Sequence, residues 1–261
     1  MTSETTQQDW NPGAYDRFRG LRLQPALDLL SRVGELPNGT VVDLGCGNGV
    51  MGPALGARFP RRKIVAVDNS PAMLEKAAEA RDYAVLQEGD IATWHPDLTP
   101  ALIFSNAALQ WLGDHDRLLP RLADLLPAGG VLAVQMPHQN AAISHAGWNE
   151  AFAGLFGDQQ VDQGPMVLEP EQYFDMLSPL GDVNVWQVTY HQHLDASDRG
   201  HPVRRFTEST YARPFLNAVD AGDQDRLIDA YEAIIAPHYP LRGDGSCLFP
   251  FRRLFFTLRV L

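Results

Sequence analysis

The chain has 261 residues, long enough for one large domain with its own buried core. Hydrophobic residues make up 45% and charged residues 20%, an ordinary globular balance that excludes a disordered, collagenous or coiled-coil chain. The net charge of −11 opposes phosphate backbones and anionic lipid, so neither nucleic acid nor a membrane is an expected partner, and nothing calls for an obligatory protein partner.

Met1 to Trp10 is polar and acidic, without the basic and apolar regions of a signal peptide, and no apolar run approaches the ~20 residues that span a bilayer. Cys46 and Cys247 form no C-x-x-C pair, and His191 and His193 lack a third ligand. A cytoplasmic setting is expected, with neither a disulfide framework nor a metal site.

Apolar residues at helical spacing (Leu23, Ala26, Leu27, Leu30) predict a helix within 13–33. A β-branched run, Thr40 to Leu44, then breaks into Gly45-Cys46-Gly47-Asn48-Gly49, followed by a helix near 50–58. A second strand covers 63–67 and closes on Asp68. Ser70-Pro71 opens the next helix, with Ser as N-cap and Pro in the first helical position. Further strands fit 83–87, 101–105 and 131–135, with a helix over 114–126. Beyond Pro137 come helices near 141–156 and 170–178, a strand over 183–190, a mostly helical block at 195–238 and a terminal strand over 248–261.

Continuous apolar strands alternating with helices predict an α/β fold: a doubly wound, mostly parallel, seven-stranded sheet covered on both faces. The expected layout is a single domain over 1–261. It has a helical cap at 1–34, a core at 35–190, a helical lid insertion at 191–246 and the last strand at 247–261. Ligands of such sheets sit beyond the carboxyl ends of the strands.

The segment Asp43-x-Gly45-x-Gly47-x-Gly49 is the centre of the functional reading. Its glycines let the backbone turn sharply and approach a ligand closely. Gly47-x-Gly49-x-x-Gly52 also matches the dinucleotide fingerprint, which keeps an NAD-dependent oxidoreductase among the alternatives. Three acids bear on the cofactor and together favour S-adenosylmethionine. Asp43 stands where a pyrophosphate would be repelled but a cationic cofactor is tolerated. Asp68 can take both ribose hydroxyls, which fits either cofactor, and Asp90 suits an adenine amino group.

With Val41-Val42-Asp43-Leu44-Gly45-Cys46-Gly47-Asn48-Gly49 and Leu125-Leu126-Pro127-Ala128-Gly129-Gly130-Val131-Leu132, the chain resembles the class I, Rossmann-like methyltransferases. Further segments resemble the trans-aconitate 2-methyltransferases: Asp9-Trp10-Asn11-Pro12, Ser105-Asn106-Ala107-Ala108-Leu109-Gln110-Trp111, Val134-Gln135-Met136-Pro137 and Phe249-Pro250-Phe251-Arg252-Arg253-Leu254-Phe255. The resemblance implies methyl transfer from S-adenosylmethionine to a carboxylate oxygen of a small polycarboxylic acid, with S-adenosylhomocysteine as product. The chain departs from the pattern at Gln24, at His138-Gln139-Asn140 and at Phe206, in segments expected to serve the acceptor. Methyltransferases with other acceptors, and a non-catalytic binding protein on the same fold, are the remaining alternatives.

The expected cofactor residues are Asp43, Gly45, Gly47, Asp68, Asn69, Met73, Asp90, Ile91 and Asn106. An ionised carboxylate needs no general base, so no catalytic acid or base is assigned; the chemistry asks for positioning, desolvation and fixed cations. The expected acceptor residues are Arg22, Arg213 and one of Arg252 and Arg253, which point to opposite faces of a strand. Trp10, Tyr15, Gln110, Trp111, His138 and Tyr239 complete the set.

Overall fold

The computed structural model describes residues 19–157, 159, 161–208 and 210–261, the side chains of 19–22 excepted. In chain order the elements are α1 (Arg19–Ser31), β1 (Thr40–Leu44), α2 (Gly52–Arg58), β2 (Ile64–Asp68), α3 (Pro71–Ala77), β3 (Val85–Glu88), β4 (Pro100–Asn106), α4 (His115–Asp124), β5 (Val131–Pro137), α5 (Ile143–Phe156), α6 (Pro170–Leu177), β6 (Gly181–Leu194), α7 (Pro202–Glu208), α8 (Arg213–Asn217), α9 (Ala221–Ile235) and β7 (Cys247–Val260). Single 3-10 turns cover 78–80, 109–111 and 178–180.

The sheet has seven strands in the order β3-β2-β1-β4-β5-β7-β6. β1 pairs in parallel with both β2 and β4, β2 with β3, and β4 with β5. At β7 the direction reverses: Val260 bonds Gly130 at the start of β5, while His138, just past its end, bonds Arg252. β1, β4 and β5 are buried nearly end to end. Covered on both faces, they show a continuous apolar run rather than alternation. The chain winds from β1 out to β3, then returns to β4 on β1's other side. That reversal makes the crevice at the carboxyl ends of β1 and β4 the ligand-binding position of such a sheet.

Local signals account for several boundaries. The Ser70 hydroxyl accepts from the Met73 N–H at 3.4 Å, and Pro71 occupies the first turn of α3. Glu169 and Gln172 form a reciprocal cap on α6. Asp220 Oδ1 accepts from the Asp223 N–H at 3.0 Å to open α9. β6 is longer than 183–190 at both ends, since its half-buried, polar-rich ends carry little hydrophobic pattern.

The chain packs as two compact units. One comprises the residues up to Met136, Leu168–Trp186 and Phe255–Leu261; the other comprises Pro137–Val167 and Gln187–Leu254. The second unit differs from the expected 191–246 boundary because residues 137–167 pack within it rather than with the core. α5 buries Trp148, Ala151 and Phe152. Trp148 stacks on Tyr231 of α9 with centroids 3.9 Å apart, and its Nε1–H donates to Thr207 Oγ1 of α7 at 3.1 Å. Beside this stack, buried Arg204 bonds both Glu208 and Glu232 at 2.9 Å.

Candidate functional site

The register of the parallel strands puts four polar residues on one sheet face. Asp43 stands opposite Ala66 and Phe104, and Asp68 lies two residues beyond Ala66. Asn106 lies two residues beyond Phe104 and stands opposite Gln135. Side chains two apart share a face, so Asp43, Asp68, Asn106 and Gln135 project to the same side at the carboxyl ends of their strands. A cavity of about 450 Å³ opens there in the first unit. All nine residues expected at the cofactor line it: Asp43, Gly45, Gly47, Asp68, Asn69, Met73, Asp90, Ile91 and Asn106.

The glycine turn shapes its floor. A Cβ on Gly45, whose φ is +76°, would stand 2.3 Å from the Ala108 Cβ, so no side chain fits there. A Cβ on Gly47, at φ +54°, would meet nothing within 4 Å; the bare backbone leaves this space to a ligand. Gly52, the third glycine of the dinucleotide-like match, has a different use. Its Cβ position is 2.9 Å from the Tyr83 ring, so packing explains that glycine.

The two central acids are held differently. Asp68 accepts from the Gly47 N–H at 2.8 Å and the Ser70 N–H at 3.0 Å, which fixes both oxygens and ties the glycine turn to β2. Asp43 is buried and accepts from the Tyr83 hydroxyl at 2.6 Å. Burial pushes its carboxyl up to about 7; the Tyr83 hydrogen bond opposes this and nearby Asp68 adds to it. A buried carboxylate in an otherwise acidic pocket suits a cationic ligand group. Asp90 is exposed and turns its Oδ1 to the Ala92 N–H at 2.9 Å. The loop behind it is pinned by Arg121, which donates to the carbonyls of Ile91 and Trp94.

Asn106 Oδ1, Gln110 Oε1 and both amide atoms of Gln135 are buried without a hydrogen-bond partner. Ala107, next to Asn106, donates its N–H to the Gln135 main-chain carbonyl at 2.9 Å, and its own carbonyl accepts from Gln110 Nε2 at 2.7 Å. Ala107 takes a left-handed φ of +54°, a strained conformation for a residue with a Cβ.

Of the expected acceptor residues, Trp111 lines the cavity and is 49% exposed. Gln110 is next to it in the same 3-10 turn. Trp10, Tyr15 and the Arg22 side chain lie outside the described residues. The others belong to the second unit. His138 is buried and its Nδ1 meets Gln187 Nε2 at 2.8 Å. Arg213 is exposed at the start of α8. Tyr239 is buried, and its hydroxyl accepts from the Ser144 N–H at 3.1 Å, so it caps the start of α5. Arg253 is buried with its guanidinium 4.5 Å from the Phe251 ring centroid, while Arg252 is half-buried.

The sequence reading missed Tyr83 and Arg121, which lie outside any motif. It also missed the cavity residues Cys46, Asn48, Val50, Met51, Ala107, Ala108 and Leu112, all within or adjacent to motif positions. Among the described residues no group of three metal-binding side chains occurs, and no helix is long and apolar enough to cross a membrane.

Residues 15–197 match the model of a methyltransferase domain family. The chain is 40% identical to the trans-aconitate 2-methyltransferase of Methylobacterium radiotolerans, over 96% of this chain and 98% of that protein. It is 39% identical to the enzyme of the same name in Klebsiella pneumoniae, over 97% and 98%. Among solved structures, the fold is similar to the YcgJ protein of Bacillus subtilis, with TM-score 0.56, 15% identity and coverage of 89% of this chain and 96% of that one. It is also similar to a Haemonchus contortus phosphoethanolamine N-methyltransferase in complex with S-adenosyl-L-methionine, with TM-score 0.55, 17% identity and coverage of 95% and 56%.

Proposed function

The chain belongs to the methyltransferase domain family, and from that premise we propose that it methylates a carboxylate oxygen of a small polycarboxylic acid, trans-aconitate first, using S-adenosylmethionine. One observation carries the reaction type: two carboxylates, Asp43 and Asp68, flank a glycine turn that leaves a cavity beside it open. The acceptor is inferred from the relatives, whose identity runs over nearly the whole chain.

When bound, S-adenosylmethionine supplies a methyl group on a positively charged sulfur. Asp43 suits the ammonium group of that cofactor. Asp68, already oriented by two backbone N–H groups, suits its ribose diol, and Asp90 with Ile91 suits the adenine end. The bare Gly47 backbone permits close approach. The acceptor carboxylate is ionised at neutral pH, so no side chain needs to remove a proton. The protein's contribution is to exclude water and fix the line of attack. Of the unpartnered amide atoms, Gln135 Nε2 can donate to an acceptor carboxylate, while the oxygens of Asn106, Gln110 and Gln135 call for a donor on one of the two ligands. Each such buried group costs about 1–3 kcal/mol until something meets it. Arg213 and one of Arg252 and Arg253 are the proposed carboxylate anchors; Trp111 and His138 are proposed as further acceptor contacts. A cytoplasmic setting belongs to the same proposal, and the free, buried thiols of Cys46 and Cys247 fit a reducing compartment.

The test is transfer of labelled methyl to a panel of di- and tricarboxylates. The expected product is a base-labile ester, formed fastest on trans-aconitate. Labelling of none of the acids would overturn the acceptor assignment.

A further inference from the structure

We propose that Tyr83 is the positioning residue of the cofactor site: its hydroxyl fixes the Asp43 carboxylate, and its ring seats the glycine turn from behind. The inference rests on the cofactor reading above. It comes from three contacts converging on one side chain that no motif contains. The hydroxyl donates to Asp43 Oδ2 at 2.6 Å. The ring edge stands 3.0 Å from the Cβ position of Gly49 and 2.9 Å from that of Gly52. The rest of the ring packs against the small cluster of Cys46, Ala66 and Ala77. Tyr83 therefore touches the strand end, the glycine turn and the first turn of α2 together.

The arrangement explains why Gly52 carries no side chain although it does not line the cavity: a Cβ there would collide with the ring, while at Gly49 the ring adds to the closer Ala77 Cα, which would stand 2.8 Å from a Cβ. It also gives the Asp43 carboxylate a fixed direction. A carboxylate with one oxygen held by a phenol presents its other oxygen at a defined angle, which is what a ligand ammonium group needs. Asp43 Oδ2 accepts the Tyr83 hydrogen bond, and the remaining lone pairs of the carboxylate are open to a ligand.

The hydrogen bond has a second effect. The titratable groups facing Asp43 are Tyr83 from the segment before β3, Asp68 from β2 and Cys46 from the turn. β4 brings only Phe104 opposite it. Burial and Asp68 both disfavour the ionised carboxylate, and Tyr83 alone among these favours it. Burial and Asp43 push the Tyr83 phenol upward, so it stays protonated and remains a donor. A positively charged ligand group needs Asp43 ionised. The sign follows: affinity is full above the carboxyl's ligand-free pKa and falls as pH drops through it, with a proton released on binding.

The experiment is calorimetric titration of the full chain with S-adenosylhomocysteine between pH 5.5 and 9, in two buffers of different ionisation heat. In the wild type, affinity is expected to be flat above about pH 8 and to fall toward about tenfold per unit below pH 7, with proton uptake by buffer. Tyr83→Phe keeps the ring and removes the hydrogen bond. Its break should move about one unit alkaline, so that affinity drops about fivefold relative to wild type at pH 7 and recovers at pH 9. Tyr83→Leu loses ring and hydroxyl and should bind more weakly at every pH. Equal affinity of Tyr83→Phe and wild type at all pH values, or a loss that pH 9 does not rescue, would overturn the proposal. If the wild type binds no S-adenosylhomocysteine, the cofactor reading fails instead.

Discussion

The glycine turn and the helical block of the second unit are held together by opposite means. Around the turn, the deciding contacts are short and polar and come from neighbouring strand ends: Gly47 to Asp68, Ser70 to Asp68, Tyr83 to Asp43. In the block they are aromatic and distant in sequence, with Trp148, Phe215 and Tyr231 meeting across α5, α8 and α9. A site built on backbone N–H groups and carboxylates tolerates little change of chemistry. A core built on stacked rings tolerates little change of volume.

The sharpest way to break that contrast is Trp148→Ala. It removes the stack on Tyr231 and leaves Thr207 Oγ1 without its indole donor. A loss of about 3–5 kcal/mol is expected in denaturant unfolding. Cofactor affinity, measured where the variant is still folded, should be unchanged. Loss of affinity by a folded variant would mean that the two regions are not independent.

Asp68→Ala tests the polar side. Removing the carboxylate that organises Gly47 and Ser70 should weaken S-adenosylhomocysteine binding by about 1.5–3 kcal/mol, roughly ten- to hundredfold. Unchanged affinity by calorimetry would remove Asp68 from the site.

The neighbouring arginines give a smaller, paired effect. Arg253 is buried over Phe251 and Arg252 is half-buried on the other side of β7. Lysine keeps the charge but loses the planar fork and the stacking. Arg253→Lys should raise KM for the acid by about tenfold, on the order of 1.4 kcal/mol, and Arg252→Lys by less. Steady-state kinetics with both variants at wild-type KM would remove the pair from the acceptor site.

The smallest effect is expected in α5. A Cβ on Gly154 meets no atom within 4 Å, and its φ is not positive. Gly154→Ala should stabilise the protein by about 0.4–1 kcal/mol, read as a raised unfolding midpoint. The glycines of the turn have no such freedom.

The same contrast explains what could be read beforehand. Asp43, the glycines and Asp68 were legible because each sits where an apolar strand stops, and parallel strands stop together at one edge. The Ser70-Pro71 cap was legible because capping is local. Tyr83 was not, since nothing in the segment around it indicates that its hydroxyl reaches a residue 40 positions earlier. Nor was the membership of 137–167 in the second unit, which depends on ring contacts between residues more than 60 positions apart. Tyr239 reads as a pocket aromatic by type, and its sequence gives no sign that its hydroxyl accepts from the Ser144 N–H 95 positions earlier.

The strand order carries a consequence for how the chain is made. β1 to β5 find their parallel partners within the first 137 residues. The outer edge of β5, whose residues Val131 to Met136 are all buried in the finished protein, waits for β7, which begins at Cys247. While the intervening hundred or so residues emerge from a ribosome, at roughly 5–20 residues per second, that apolar edge stands open for about 5–20 seconds. During that interval the half-made sheet offers a row of unpaired backbone groups to any other extended chain, and a chaperone that shields edges has its longest opportunity there.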